Sequence, residues 1–193
     1  MPEPSVKPNR KLMRLKNYDY SSAGFYFVTL CAHNRERLFG EIRGDAMFHN
    51  ENGKIVETTW HDLIKHVNGI ALDSFVIMPN HIHGIIVIAG SEKTVEEPSV
   101  FVGAIPTTAG RHELPLRSER RKMLLPKLVG RLKMVTAKRI NELRGTPGAP
   151  VWQRNYYEHV IRDEKSLSEM REYIANNPKQ WDLDENNPKN LKM

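Results

Sequence analysis

Apolar residues fall along this chain in two periods. Phe25-Tyr26-Phe27-Val28-Thr29-Leu30 is an aromatic and β-branched block between Gly24 and the polar His33-Asn34-Arg35, which predicts a strand. From Ile55 to Val67 the bulky positions Ile55, Val56, Thr59, Trp60, Leu63, Ile64 and Val67 recur at threes and fours. That spacing predicts an amphipathic helix starting after Asn52-Gly53 and ending near Asn68-Gly69. Leu72 to Met78 and His81 to Ala89 are two strand-like runs joined by Pro79-Asn80, a sequence suited to a tight turn. Leu125, Leu128, Val129, Leu132, Val135, Ile140 and Leu143 return to helical spacing, and Gly145-Thr146-Pro147-Gly148 closes that helix. Val151 to Ile161 is strand-like, and Ser166 to Asn176 predicts a last helix with Leu167, Met170, Arg171 and Ile174 inward, stopped by Pro178.

The resulting order (strand, helix, strand, strand, helix, strand, helix) predicts an α+β sandwich: an antiparallel sheet with helices packed on one face, of ferredoxin-like or RNA-recognition type. Residues 1–20 are expected to form a basic tail, residues 21–180 a single domain and residues 181–193 a C-terminal tail. From about 91 to 122 the composition turns to Ser, Pro, Thr, Gly and charge without sustained period, and a flexible insertion is expected there.

Composition narrows the function classes. The 193 residues are 39% hydrophobic, enough for one sizeable core. The formal charge is +6, yet residues 111–144 alone hold eleven Lys and Arg against three Glu, so the remainder is close to neutral. A polyanionic partner is expected of such a local excess, although a solvated helix face has the same composition. Cys31 is the single cysteine, which excludes an internal disulfide and a cysteine-based zinc site. No run approaches the length of a membrane span and the opening residues lack a signal-type apolar segment, so a soluble cytoplasmic protein is expected.

His81 and His83 are two apart on a strand and project to one side, while Ile82, Ile86 and Ile88 point to the other. Two neutral imidazoles can hold one cation and leave most of its coordination sphere open, as a catalytic metal requires. Two ordinary surface histidines would give the same local pattern. On the last helix, Tyr173 lies off the inward stripe and Asn177, four residues on, shares its side. A phenolate attacking phosphorus stores the cleaved bond as a phosphotyrosine, but a phenol near pKa 10 needs a cation or base beside it. Tyr156 and Tyr157 are rival nucleophiles in Trp152-Gln153-Arg154-Asn155-Tyr156-Tyr157-Glu158-His159; on a strand they face opposite ways, one of them into the core. Arg121, Lys122, Lys127, Arg131, Lys138 and Arg154 are candidate phosphate contacts, as is the N-terminal cluster Lys7, Arg10, Lys11, Arg14 and Lys16.

Taken together, MPNHIH, VWQRNYYEHVIRDE and REYIANNP, in this order, resemble the REP-associated tyrosine transposases, a branch of the single-tyrosine HUH (IS200-like) transposases, over about residues 20–180. The resemblance implies an antiparallel sheet with flanking helices, Mg²⁺ or Mn²⁺ on His81 and His83, Asn177 completing the metal site, and Tyr173 as nucleophile. It implies cleavage of single-stranded DNA beside short palindromic hairpins, leaving a 5′-phosphotyrosine and a free 3′-OH, by a monomer or a homodimer. It also weakens the case for Tyr156 and Tyr157. Because bound histidines must be neutral, activity is expected to fail below about pH 6. The competing classes are a non-catalytic binder of structured single strands and a metal-dependent phosphodiesterase that uses water.

Overall fold

The structure, a computed structural model, describes residue 15 and residues 18–89 and 122–190. Most of the expected N-terminal tail and nearly all of the expected insertion lie outside the described residues. The elements run β1 (Gly24–Cys31), β2 (Gly40–Arg43), β3 (Ala46–His49), α1 (Glu51–His61), β4 (Ile70–Ile77), β5 (His81–Ile88), α2 (Leu124–Arg144), β6 (Tyr157–Ile161) and α3 (Glu164–Asn176). The predicted order therefore holds, with one addition. The hairpin β2–β3 was not foreseen, because its two four-residue strands are too short for alternation to stand out.

Four strands form one antiparallel sheet in the order β4-β5-β1-β6, so the central pair is β5 and β1. With the small hairpin set aside, this is the split β-α-β arrangement expected of a ferredoxin-like α+β fold. The helices, however, cover both faces rather than one. Tyr26, Val28 and Leu30 of β1 and Ile82, Ile86 and Ile88 of β5 pack with Val56 and Trp60 of α1 and Leu125, Leu128 and Leu132 of α2. The other parity, Phe27, Ile85 and Ile161, packs with Leu167 and Ile174 of α3. Both parities of these strands are apolar, and a strand of that kind needs cover on both sides. The face that carries His81 and His83 is thus the one beneath α3.

Local chemistry sets where the elements begin and end. Asn50 caps α1 by accepting the Gly53 N–H at 3.0 Å, which starts the helix earlier than Asn52-Gly53, and a 3₁₀ turn, Asp62–Lys65, finishes it. Asp163 caps α3 through the Ser166 N–H at 2.8 Å. Gly145 ends α2 in the left-handed region (φ 65°), where a side chain would be strained. On the site face, Arg171 of α3 clamps Asp73 of β4 with a pair of hydrogen bonds of 3.0 and 2.6 Å. Arg171, expected to point inward, is instead a half-exposed cation tying α3 to the sheet edge.

Two other expectations change. Val151–Ile161 is not one strand: Trp152 makes a single bridge to Ala32, the chain leaves the sheet over 153–156, and pairing resumes at Tyr157. There Lys133 of α2 takes over two of the carbonyls, its ammonium donating to those of Gln153 (2.7 Å) and Asn155 (2.9 Å). The stretch expected as a C-terminal tail also packs onto the body. After the 3₁₀ segment Pro178–Leu183, Trp181, Asp184, Asn186 and Asn187 are all buried. No helix among the described residues is long and apolar enough to cross a membrane.

Candidate active site

His81 and His83 are almost wholly buried, at 0% and 2% exposure. They are therefore not surface histidines. Asn80 donates through Nδ2 to two carbonyls, those of Arg35 (3.1 Å) and Asn186 (2.8 Å). Carbonyls only accept, so the Asn80 oxygen must face His81 Nδ1, 2.8 Å away. His81 is thereby held as the Nδ1–H tautomer with a bare Nε2. His83 Nδ1 lies 2.8 Å from the Thr29 hydroxyl, which can act as donor or acceptor, and His83 Nε2 faces His81 Nε2 at 2.9 Å. One nitrogen of that pair must carry a proton, or a cation must bring the two lone pairs together. His83 also stacks on Phe27 at 5.3 Å and His81 on Trp181 at 6.1 Å.

Burial drives both imidazoles toward the neutral form. His81 is pushed down to about 3, first by burial and then by the Arg35 charge, and His83 falls well below the usual value through burial and its neighbour His81. Both imidazoles therefore stay neutral into more acidic solution than free histidines would. Asp184 Oδ2 lies 3.6 Å from His81 Nε2; with the imidazole neutral this is a polar contact rather than an ion pair. One ligand atom from each of His81, His83 and Asp184 falls within 4.8 Å of the others.

Tyr173 sits at the rim, 36% exposed, with its Oη 3.3 Å from His83 Nε2. Partial burial raises the phenol above its ordinary value, the Asp184 carboxylate raises it further, and a hydrogen bond from Asn177 lowers it. The phenol is consequently protonated at neutral pH unless positive charge arrives beside it. Asn177 is buried on the same helix face, as its four-residue spacing predicted. Two buried oxygens here, Asp184 Oδ2 and Asn177 Oδ1, have no hydrogen-bond partner. A polar oxygen left unsatisfied at such depth is costly, and the Asp184 oxygen beside a pair of facing imidazole nitrogens suits a divalent cation with mixed nitrogen and oxygen ligands.

Against known proteins, no family model matches the chain. An uncharacterised protein of Haemophilus influenzae is 38% identical over 187 residues, spanning 92% of each chain, and the two belong to one family. Among solved structures, the chain is similar to a REP-associated tyrosine transposase bound to a REP hairpin, at 15% identity and a TM-score of 0.50 over 87% of this chain and 73% of that one. The fold is that of the REP-associated tyrosine transposases.

Within this fold the remaining predicted residues are placed unevenly. Tyr156 is buried in the main core, whereas Tyr157 is exposed on the site face. Lys127, Arg131 and Lys138 ride on α2, which covers the sheet face opposite the histidines. Arg154 is exposed on the loop beside the site and Lys122 is exposed just ahead of α2; Arg121 lies outside the described residues. Sequence reasoning missed Asn80, Thr29 and Asp184. Asn80 had a signal, since a carboxamide directly before a buried His can fix its tautomer. Thr29 and Asp184 had none, because long-range packing alone brings them to the histidines.

Proposed function

We propose that this chain is a divalent-cation-dependent endonuclease and strand transferase for single-stranded DNA beside hairpins, with Tyr173 as its nucleophile. The observation that carries this reading is the phenol oxygen of Tyr173 at 3.3 Å from His83 Nε2, directly beside the His81, His83 and Asp184 group. The fold shared with a transposase that binds a REP hairpin supports the choice of substrate.

His81, His83 and Asp184 would hold the cation, with Asn177 adding an oxygen from the tyrosine helix. Mg²⁺ or Mn²⁺ bound there would supply positive charge that withdraws electron density from the scissile phosphate and lowers the phenol pKa. Asn80 and Thr29 orient the two imidazoles through their Nδ1 atoms. Tyr173 Oη attacks phosphorus in line and releases its proton. The bond to the 3′-oxygen breaks, and that oxygen takes up a proton to become the free 3′-OH. The 5′-phosphotyrosine keeps the phosphodiester energy, so a second 3′-OH can reverse the step and join strands. Lys122, Lys127, Arg131, Lys138 and Arg154, with Arg121, are assigned to phosphates. The three on α2 lie across the sheet from the tyrosine, so they suit a flanking duplex better than the cleaved strand.

The test is denaturing gel electrophoresis of a labelled, hairpin-flanked single strand incubated with the protein and Mn²⁺ or Mg²⁺. A covalent protein–DNA band with the wild type, absent in Tyr173→Phe, is the expected result. Persistence of the band in Tyr173→Phe would move the nucleophile, with Tyr157 the next candidate. Cleavage without a band would mean water is the nucleophile, and binding without cleavage would leave a non-catalytic binder.

A further inference from the structure

The register of the sheet sets a row of side chains across the site face: Tyr157 of β6 pairs with Thr29 of β1, which pairs with His83 of β5. Next to that row, His159 pairs with Phe27 and Phe27 with Ile85. Tyr157 therefore stands two strand spacings, on the order of 10 Å, from the strand of His83. Between them opens a cleft of about 470 Å³ whose walls include Phe27, Tyr157, His159, Tyr173, Gln153 and Asn155. This volume is in the range of small-ligand sites, too small for a duplex.

The chemistry of the walls selects among occupants. Tyr157 is 42% exposed at the opening, and its ring is braced edge to face at 6.3 Å against the buried Phe27. Gln153 and Asn155, from the loop that leads into β6, line the same cleft. Lys133 fixes that loop by binding both backbone carbonyls, 2.7 and 2.9 Å away. The guanidinium at the end of the cleft, Arg35, already donates to the Glu185 carbonyl at 2.9 Å. Aromatic planes with neutral carboxamides and few free cations suit a flat heteroaromatic ring better than a run of phosphates.

We propose that this cleft seats one unpaired nucleobase next to the scissile phosphate, stacked on Tyr157 and read at its edge by Gln153 and Asn155. The assignment rests on the single-strand reading above. It gives Tyr157, once a rival nucleophile, a binding role, and it gives the excursion of residues 153–156 a purpose. Carboxamides pair with base edges in two directions, so the seat confers a preference at one nucleotide position without contacting the hairpin.

The test uses the full chain in EDTA, where metal-dependent chemistry is silent, with hairpin-flanked oligonucleotides carrying 2-aminopurine at successive single-stranded positions. One position is expected to be quenched on binding. The quench survives in Tyr157→Phe and disappears in Tyr157→Ala, with binding weakened on the order of 10-fold, as stacking on one aromatic ring implies. Replacing that base with an abasic site should erase the difference between wild type and Tyr157→Ala, and the double variant Gln153→Ala/Asn155→Ala should level the preference among the four bases there. If no position shows a Tyr157-dependent quench while the wild type still forms its covalent adduct with Mn²⁺, the seat is overturned and the nuclease reading stands. If the quench behaves as expected and no adduct ever forms, the nuclease reading fails and the seat stands. An unchanged base preference in the double variant would overturn the edge reading.

Discussion

Asn80 Oδ1 accepts from His81 Nδ1 at 2.8 Å while Asn80 Nδ2 is spent on two backbone carbonyls, so the orientation of one carboxamide determines which nitrogen of His81 carries the proton. The bare Nε2 is thereby directed at His83 and Asp184. Loss of such an outer partner weakens metal affinity by about 10- to 100-fold. Asn80→Ala is expected to lose Mn²⁺ affinity in that range by calorimetric titration, with its far-UV spectrum unchanged. Wild-type affinity in that variant would remove Asn80 from the design of the site.

Asp184 carries a buried carboxylate oxygen without a partner. Its other oxygen accepts from the Asn186 N–H at 2.6 Å, and an asparagine would keep that bond. Asp184→Asn is therefore expected to melt no lower than wild type in EDTA yet to gain much less thermal stability on adding Mn²⁺. Equal Mn²⁺-induced shifts in the two proteins would exclude Asp184 as a ligand.

Gly84 follows the histidine pair, and a methyl group there would overlap the indole of Trp60, which is stacked on Phe75 at 4.4 Å. Only a hydrogen at this position lets α1 lie so close to β5. Gly84→Ala is expected to destabilise the protein by about 1–3 kcal/mol, the usual penalty for forcing extra volume into a packed core. Urea denaturation measures it, and an unchanged midpoint would contradict the close approach.

The Arg171 hydrogen bonds hold the Asp73 carboxyl below its ordinary value of 3.8, with partial burial opposing them. A carboxyl lowered in the folded state stabilises above its unfolded pKa, and that contribution disappears as pH falls through the folded value. At pH 7, Asp73→Asn should cost about 1 kcal/mol or less, since Arg171 is still partly exposed to solvent. As pH falls below 3.8 and through the lowered folded value, the two proteins should converge. Thermal melts across this range test it; a constant gap at all pH values would mean that the pair does not titrate.

The sequence by itself determined what is periodic or adjacent. Alternation in the strands put His81 and His83 on one side and Ile82, Ile86 and Ile88 on the other, and the buried isoleucines bear that out. Helical spacing put Tyr173 and Asn177 on one face, and tight turns at Pro79-Asn80 and Gly145 bounded their elements, because these properties depend on a few neighbouring residues and on fixed backbone repeats. Tertiary structure alone decided which faces meet. It placed α3 over the histidines and α2 behind the sheet, and drew Asp184 out of an expected tail. It set Lys133 against the carbonyls of Gln153 and Asn155 and buried the imidazoles deeply enough to keep them neutral. Each of those outcomes rests on contacts between residues far apart in the chain, whose partners are selected by the packing of the whole core and leave no period or motif at either end.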